Sequence, residues 1–164
     1  MIKTLVRALT SGLVALGLIV GPAMASADID AATNAYRASQ GLAPLTTRQD
    51  LENLAYLRAQ QIAVTFAHPT SWQWMFDTIP GCESALGENI AYYTSGYEPA
   101  GWPVSAWINS PTHRANMLRG WTWQGSATFR ANGNTYAVQL FAGACDNPTP
   151  PQPPILNEIP DTHM

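Results

Sequence analysis

The apolar period of this chain changes once, near Gly120, and that change limits what it can fold into. Upstream, Leu51, Leu54, Ala55, Arg58 and Ile62 recur at helical spacing, with Leu57 widening the stripe. Downstream, residues 121–130 and 135–142 read as strands on either side of Asn132-Gly133, the dipeptide that a tight hairpin turn demands. Helices first and a hairpin last predict an α+β domain, with helices packed on a small antiparallel sheet. An all-α fold is the alternative if the last two runs are not strands. Four helices are expected. The first covers residues 29–39, with Ile29, Ala32, Tyr36 and Ser39 on one face and Gly41 as its stop. The second starts at a Thr47 cap, with Asp50 three residues on, and ends near Phe66. A third covers 99–109. Ser110 then caps a short helix over 111–118 that has Pro111 in its first position. Residues 69–87 read as loop, with helical fragments around 72–76.

The ends of the 164-residue chain read differently from its middle. Residues 1–27 have the pattern of a secretory signal peptide: Lys3 and Arg7, a short apolar run over 13–20, then Gly21-Pro22. Two small-residue cleavage signatures follow, Ala23-Met24-Ala25 and Ala25-Ser26-Ala27, and cleavage after Ala27 is favoured. The apolar run is short for a membrane span, so the mature chain is expected to have none. Residues 28–146 form the globular body. Residues 147–164, with five prolines between Pro148 and Pro154, read as an extended tail. Without its leader the chain carries six arginines against 11 carboxylates, a net charge of −5. That balance argues against nucleic acid and against charge-driven binding to anionic lipid. In an exported chain, Cys82 and Cys145 are expected to form a disulfide. Its closed loop would stabilise by roughly 4 kcal/mol in the chain-entropy account.

Chemistry-bearing residues are few. His163 lies in the tail, which leaves His68 and His113 for the body, with Glu88 between them in a chain that is 12% charged. Two imidazoles and a carboxylate suit zinc or a similar divalent cation, and they also suit proton transfer. Spacings of 20 and 25 residues do not enforce convergence, unlike a helical His-Glu-x-x-His, so a structural role for each histidine stays open. Ser110 and His113 stand three apart on one helix, which brings a serine hydrolase to mind. N-capping explains Ser110 better, and no Gly-x-Ser-x-Gly elbow is present.

Four segments, in order, carry a family resemblance. Phe66-Ala67-His68-Pro69 and Gly87-Glu88-Asn89-Ile90-Ala91 are the first two. The run from Ala106-Trp107 through Ser110-Pro111-Thr112-His113-Arg114-Ala115-Asn116-Met117-Leu118 is the third, and Thr135-Tyr136-Ala137-Val138-Gln139-Leu140-Phe141 is the fourth. Together they resemble bacterial members of the CAP (SCP/PR-1-like) superfamily over about residues 29–142. The resemblance implies an α-β-α sandwich around a central antiparallel sheet, and usually secretion. It also implies a cleft carrying histidines and acidic residues, which in some members binds a divalent metal. Carried onto this chain, the cleft is His68, Glu88 and His113, with Ser110 and Asn116 beside it. Ser110 stands where many eukaryotic members have a second Glu. Trp121-Thr122-Trp123-Gln124 stands where those members have a further histidine.

Arg114 could hold an anion or pair with Glu88 or Asp77. Tyr92-Tyr93 could line the cleft or cover a sheet edge. Trp72/Trp74 and Trp121/Trp123 would each share a face if extended, as an exposed stacking platform or, the safer reading, as core. The leading expectation is an exported binding module for an apolar, sterol- or lipid-like small molecule or a cell-envelope component. The alternative is a metal-assisted hydrolase in which Glu88 activates water. A purely structural protein is the third reading.

Overall fold

The computed structural model describes residues 26–78 and 85–143. The leader before Ser26, both cysteines and the proline-rich tail lie outside the described residues. The chain order is α1 (Ser26–Ser39), β1 (Thr46–Thr47), α2 (Gln49–Val64), α3 (Gln73–Thr78), β2 (Leu86–Thr94), α4 (Val104–Asn109), α5 (Pro111–Leu118), β3 (Trp123–Ala131) and β4 (Asn134–Ala142). The four strands form one sheet in the order β1-β3-β4-β2. Three are antiparallel; the two-residue β1 runs parallel to β3.

Alternation along β4 builds a three-layer sandwich. Tyr136, Val138, Leu140 and Ala142 face α2 and pack with Leu51, Leu54, Ala55, Ala59 and Ile62. Ala137 and Phe141 face the other way, onto Ile29 of α1, Trp107 of α4 and Met117 of α5. Helices therefore cover both faces, as the α+β reading requires. Asn132 (φ 53°) and Gly133 (φ 76°) both take the left-handed conformation that joins β3 to β4. At Gly125 the backbone of α2 comes so close that a Cβ would stand 2.5 Å from the Glu52 nitrogen. Only glycine lets α2 lie on β3 at that point.

Several local expectations are corrected. Residues 86–94, of which 86 and 87 closed the expected loop and the rest were assigned no element, form β2, and β1 was not foreseen. The second helix starts at Gln49 behind Arg48, with no side-chain cap. Thr47 instead pairs in β1 and donates to Asp30 Oδ2 at 2.9 Å. The third helix begins at Val104, because Pro103 occupies the position before it and ends the looser turn of 99–102. Ser110 holds the N-cap position of α5 without making a side-chain cap bond. The tryptophans form no exposed platform: Trp102, Trp107 and Trp121 are buried, and Trp72, Trp74 and Trp123 pack half-buried against the α2-side core. Trp121 and Trp123 belong to opposite layers, so they do not share a face.

Candidate functional site

The site begins with a charge in the wrong place for a helix surface. Arg58 follows Leu51, Leu54 and Ala55 on the core-facing stripe of α2, and it is only 4% exposed. A buried guanidinium needs an anion. Glu88 supplies it from β2, where it faces α2 along with Ile90 and stands opposite Leu140. Arg58 Nε donates to Glu88 Oε2 at 2.7 Å, and Nη2 donates to Oε1 at 3.0 Å, a bidentate pair. The other guanidinium bonds fix the chain beyond the helix. Nη1 donates to Gln61 Oε1 at 2.7 Å, and Nη2 to the Ala67 carbonyl at 3.0 Å.

That last bond sets the next residue, His68, against the carboxylate. His68 Nδ1 lies 2.9 Å from Glu88 Oε1. Both carboxylate oxygens already accept from Arg58, so Nδ1 is assigned as the donor, and the acceptor lone pair of the neutral ring belongs to Nε2. The Glu88 side chain has no exposure, whereas that of His68 is 37% exposed. The imidazole is thus the solvent-facing end of a buried Arg–Glu–His chain. On the same side of the sheet, Phe66 and Tyr92 pack against the α2-side core, edge to face with centroids 4.8 Å apart, and Tyr92 reaches Tyr136 at 5.8 Å.

His113 arrives from a different element. Asn89 Nδ2 donates to the His113 carbonyl at 3.2 Å. Asn116, one turn on, donates through Nδ2 to the Glu88 carbonyl at 3.2 Å and to Asn89 Oδ1 at 3.1 Å. Its own carbonyl accepts from Trp121 Nε1 at 2.7 Å, and Trp107 Nε1 reaches the Ile90 carbonyl at 3.3 Å. Side chains from α4 and α5 thereby cover the outer edge of β2, which an open strand would leave unpaired. Asn116 holds α5 there and His113 half-buried beside Asn89.

The structure therefore joins His68 to Glu88 directly, and ties His113 to the same strand through Asn89. Among the described residues no three His, Cys, Asp or Glu side chains gather into a metal cage. Glu88 offers no open side: a cation bound there would have to displace the Arg58 fork. The donor set does not fit a divalent ion held by Glu88. Ser110 is buried at the junction of α4 and α5. Arg114 is exposed and pairs with neither Glu88 nor Asp77. Its Nη1 reaches the Ile108 carbonyl at 3.5 Å, while Asp77 accepts from Gln73 Nε2 at 2.8 Å. Sequence reasoning missed Arg58 as a site residue. Its signal was present, since an arginine inside an apolar stripe either leaves the stripe or brings a carboxylate in. Asn89 was also missed.

The layered sandwich has counterparts among known proteins. The Cysteine-rich secretory protein (CAP) family profile matches residues 31–141, and the chain belongs to that family. Among solved structures, an outer surface protein of Borrelia burgdorferi is similar with TM-score 0.60 and 17% identity, over 71% of this chain and 90% of that one. A cysteine-rich secretory protein of Staphylococcus aureus has TM-score 0.59 and 18% identity, over 74% of this chain and 40% of its own. An extracellular SCP-domain protein of Bacillus anthracis has TM-score 0.59 and 21% identity, over 72% and 40%. This chain thus spans under half of the latter two proteins. At these identities the likeness is one of fold. Among curated proteins no sequence match is found.

Proposed function

We propose that the chain is an exported CAP module that binds, rather than cleaves, a small apolar ligand carrying a hydroxyl or similar donor, as a lipid- or sterol-like molecule or a cell-envelope component would. The observation that carries this reading is the saturation of Glu88. A carboxylate with both oxygens held by Arg58 and no solvent exposure is poorly placed to take a proton from water. What reaches solvent at the end of this chain is the partly exposed His68 ring, with Nδ1 turned to Glu88. A single orienting polar group on an otherwise apolar surface suits binding.

Export is part of the proposal. The leader-like pattern of residues 1–27 supports it, and so does the way the described chain ends on either side of the two cysteines. Gly143 N donates to the Ala85 carbonyl at 3.0 Å, so the chains leading to Cys145 and Cys82 leave from adjacent points, as a disulfide between them requires.

The test uses a fluorescent sterol and a fluorescent fatty acid as probes, with wild type and His68→Gln. Binding of either probe by wild type, weakened about tenfold or more in His68→Gln at unchanged melting temperature, is the expected result. Ester or peptide hydrolysis by wild type, lost in His68→Gln, would reverse the ranking in favour of a hydrolase. Glu88→Gln is a poor discriminator, because it also strands the buried Arg58.

A further inference from the structure

We propose that the outward stripe of α2 is a self-association surface, on which a second copy of this chain packs its own α2, antiparallel, about a two-fold axis between Gln60 and Gln61. The inference goes beyond the ligand and export readings and does not rest on them. One side of α2 is buried on β3 and β4. The exposed positions form the opposite stripe, from Gln49 to Val64, and none of them carries a charge. A helix face that meets only water is ordinarily charged and polar. Here it is apolar as well as neutral. Of the four large apolar side chains exposed among the described residues, three lie on this stripe: Tyr56, Leu57 at 48% and Val64 at 87%. Single exposed apolar residues are ordinary, whereas a cluster rimmed by polar groups marks an interaction site.

The order of residues along the stripe selects the occupant. From Leu57 to Val64 the positions run exposed, a buried pair, an exposed pair, a buried pair, exposed, the same from either end. Leu57 and Val64 stand at the ends, and Gln60 and Gln61 at the centre. In a two-fold contact, position i of one copy meets j of the other, and j meets i. An antiparallel pair centred between 60 and 61 therefore sets Leu57 against Val64 of the second copy, and each Gln60 against a Gln61. Apolar meets apolar at the ends. At the centre amide meets amide, a self-complementary pairing because each carries donors and an acceptor. Gln61 Oε1 already accepts from the buried Arg58 Nη1 at 2.7 Å, which leaves the Nε2 hydrogens for the Gln60 oxygen of the second copy. A charge beside the axis would meet its like, and none stands there. A lipid surface or an unrelated protein has no need of this symmetry. One helix from each copy makes a contact at the small end of specific interfaces, so a reversible dimer with a Kd between about 1 μM and 1 mM is expected.

The experiment is sedimentation velocity of the purified protein over that range of concentration, with three variants. Wild type should pass from monomer to dimer. Leu57→Glu and Val64→Lys should each weaken association about tenfold or more, because a substitution at a two-fold contact acts twice and buries an unmatched charge. The double variant Leu57→Glu/Val64→Lys should recover the dimer, since the axis sets the new carboxylate of one copy beside the new ammonium of the other. Both positions are exposed, so all three variants should keep the wild-type melting temperature. A monomer at every concentration up to about 1 mM overturns the inference. A dimer that survives both single variants, or that the double variant fails to recover, places the contact elsewhere and overturns it too. A wild type that stays monomeric but sediments with phosphatidylcholine vesicles, an association lost in Leu57→Glu, assigns the face to lipid and overturns it as well.

Discussion

Arg58 and Glu88 make the sharpest residue-scale prediction. Removing either charge leaves the other buried and unmatched, which typically costs about 3–5 kcal/mol. Arg58→Met and Glu88→Gln should each lower the unfolding free energy from urea titration by that order. The double variant should recover part of the loss, because neither charge is then stranded. A strictly additive double variant would show that the pair is not coupled as its geometry indicates. His68→Gln should change stability by about 1 kcal/mol or less, since its ring is partly hydrated. A second prediction concerns Asp30. Burial, helped by nearby Glu52, pushes its carboxyl up to about 6 against the opposing hydrogen bonds from Ser126 and Thr47. The Ser126 hydroxyl lies 2.7 Å from Asp30 Oδ1 and 3.0 Å from the Ser26 carbonyl, yet it has one hydrogen to give. With Asp30 protonated, the acid donates to Ser126 and Ser126 donates to Ser26, so all three are satisfied. The folded-state value lies above the unfolded one, so this contribution is complete below about pH 4 and is lost as pH rises through about 6. Two units correspond to about 3 kcal/mol. Stability from denaturant titrations should rise from pH 7 to pH 4.5, and Asp30→Asn should flatten that slope. Glu98 works in the opposite sense. Burial raises its carboxyl, but the hydrogen bonds from Thr135 and the Gly96 backbone, with Arg130 nearby, outweigh it and leave the group below its ordinary 4.5. Its contribution is therefore lost only in stronger acid.

Among the elements, α2 and the β3–β4 hairpin were legible in the sequence because each obeys one period throughout, and because Asn132-Gly133 marks the turn by a backbone requirement that few other residues meet. β2 was not legible, for a reason tied to its use. Glu88 and Asn89 sit at buried positions where a strand reading expects apolar residues, and their partners, Arg58 and Asn116, lie 30 and 27 residues away. Local pattern carries no trace of a pairing made at that range. Thr47 misled in the same way, since Asp30 in α1 claimed the hydroxyl that looked like a cap. The family resemblance pointed to His68 and Glu88 but not to the arginine that holds Glu88 from the other side. The docking of α2 on β3 gives a further prediction. Gly125→Ala places a methyl group against backbone atoms of Leu51 and Glu52 that cannot step aside singly, so the whole helix must shift. A loss of about 1–3 kcal/mol is expected, read as a lower melting temperature and faster amide exchange along α2. Gly41→Ala, at an exposed helix end with open space around its Cα, should cost less, through its φ of 74° alone.

Over the whole molecule, the two helical layers are held differently. The α2 side closes on aliphatic and aromatic packing around one ion pair. The α1 side mixes Ile29 with buried Asp30, Thr33 and Arg37, and relies on hydrogen bonds such as Gln139 Nε2 to Thr33 Oγ1 at 2.8 Å and Arg37 Nη1 to the Met117 carbonyl at 2.8 Å. Charge composition anticipated the anionic character of the molecule, but it said nothing of this asymmetry, which depends on which helix covers which face. The proposed Cys82–Cys145 bridge would clamp the end of β4 to the start of β2. Thiol titration of the exported protein should find no free cysteine, and reduction should lower its melting temperature. Two reactive thiols in the folded, exported chain would refute the bridge.

The Arg58–Glu88 pair also divides labour in a way that bears on how such a protein can diversify. The charged pair that holds the site together lies inside, Phe66, Tyr92 and Trp72 pack half-buried against the same core, and His68 alone of the set carries its ring to solvent. On the proposed function, a substitution at His68 would alter what is recognised with little effect on whether the chain folds, while a mutation in the inner pair would be removed by instability before recognition is ever at stake. Lineages built on this arrangement would then be free to change what the exposed imidazole meets along paths in which every intermediate remains a folded protein.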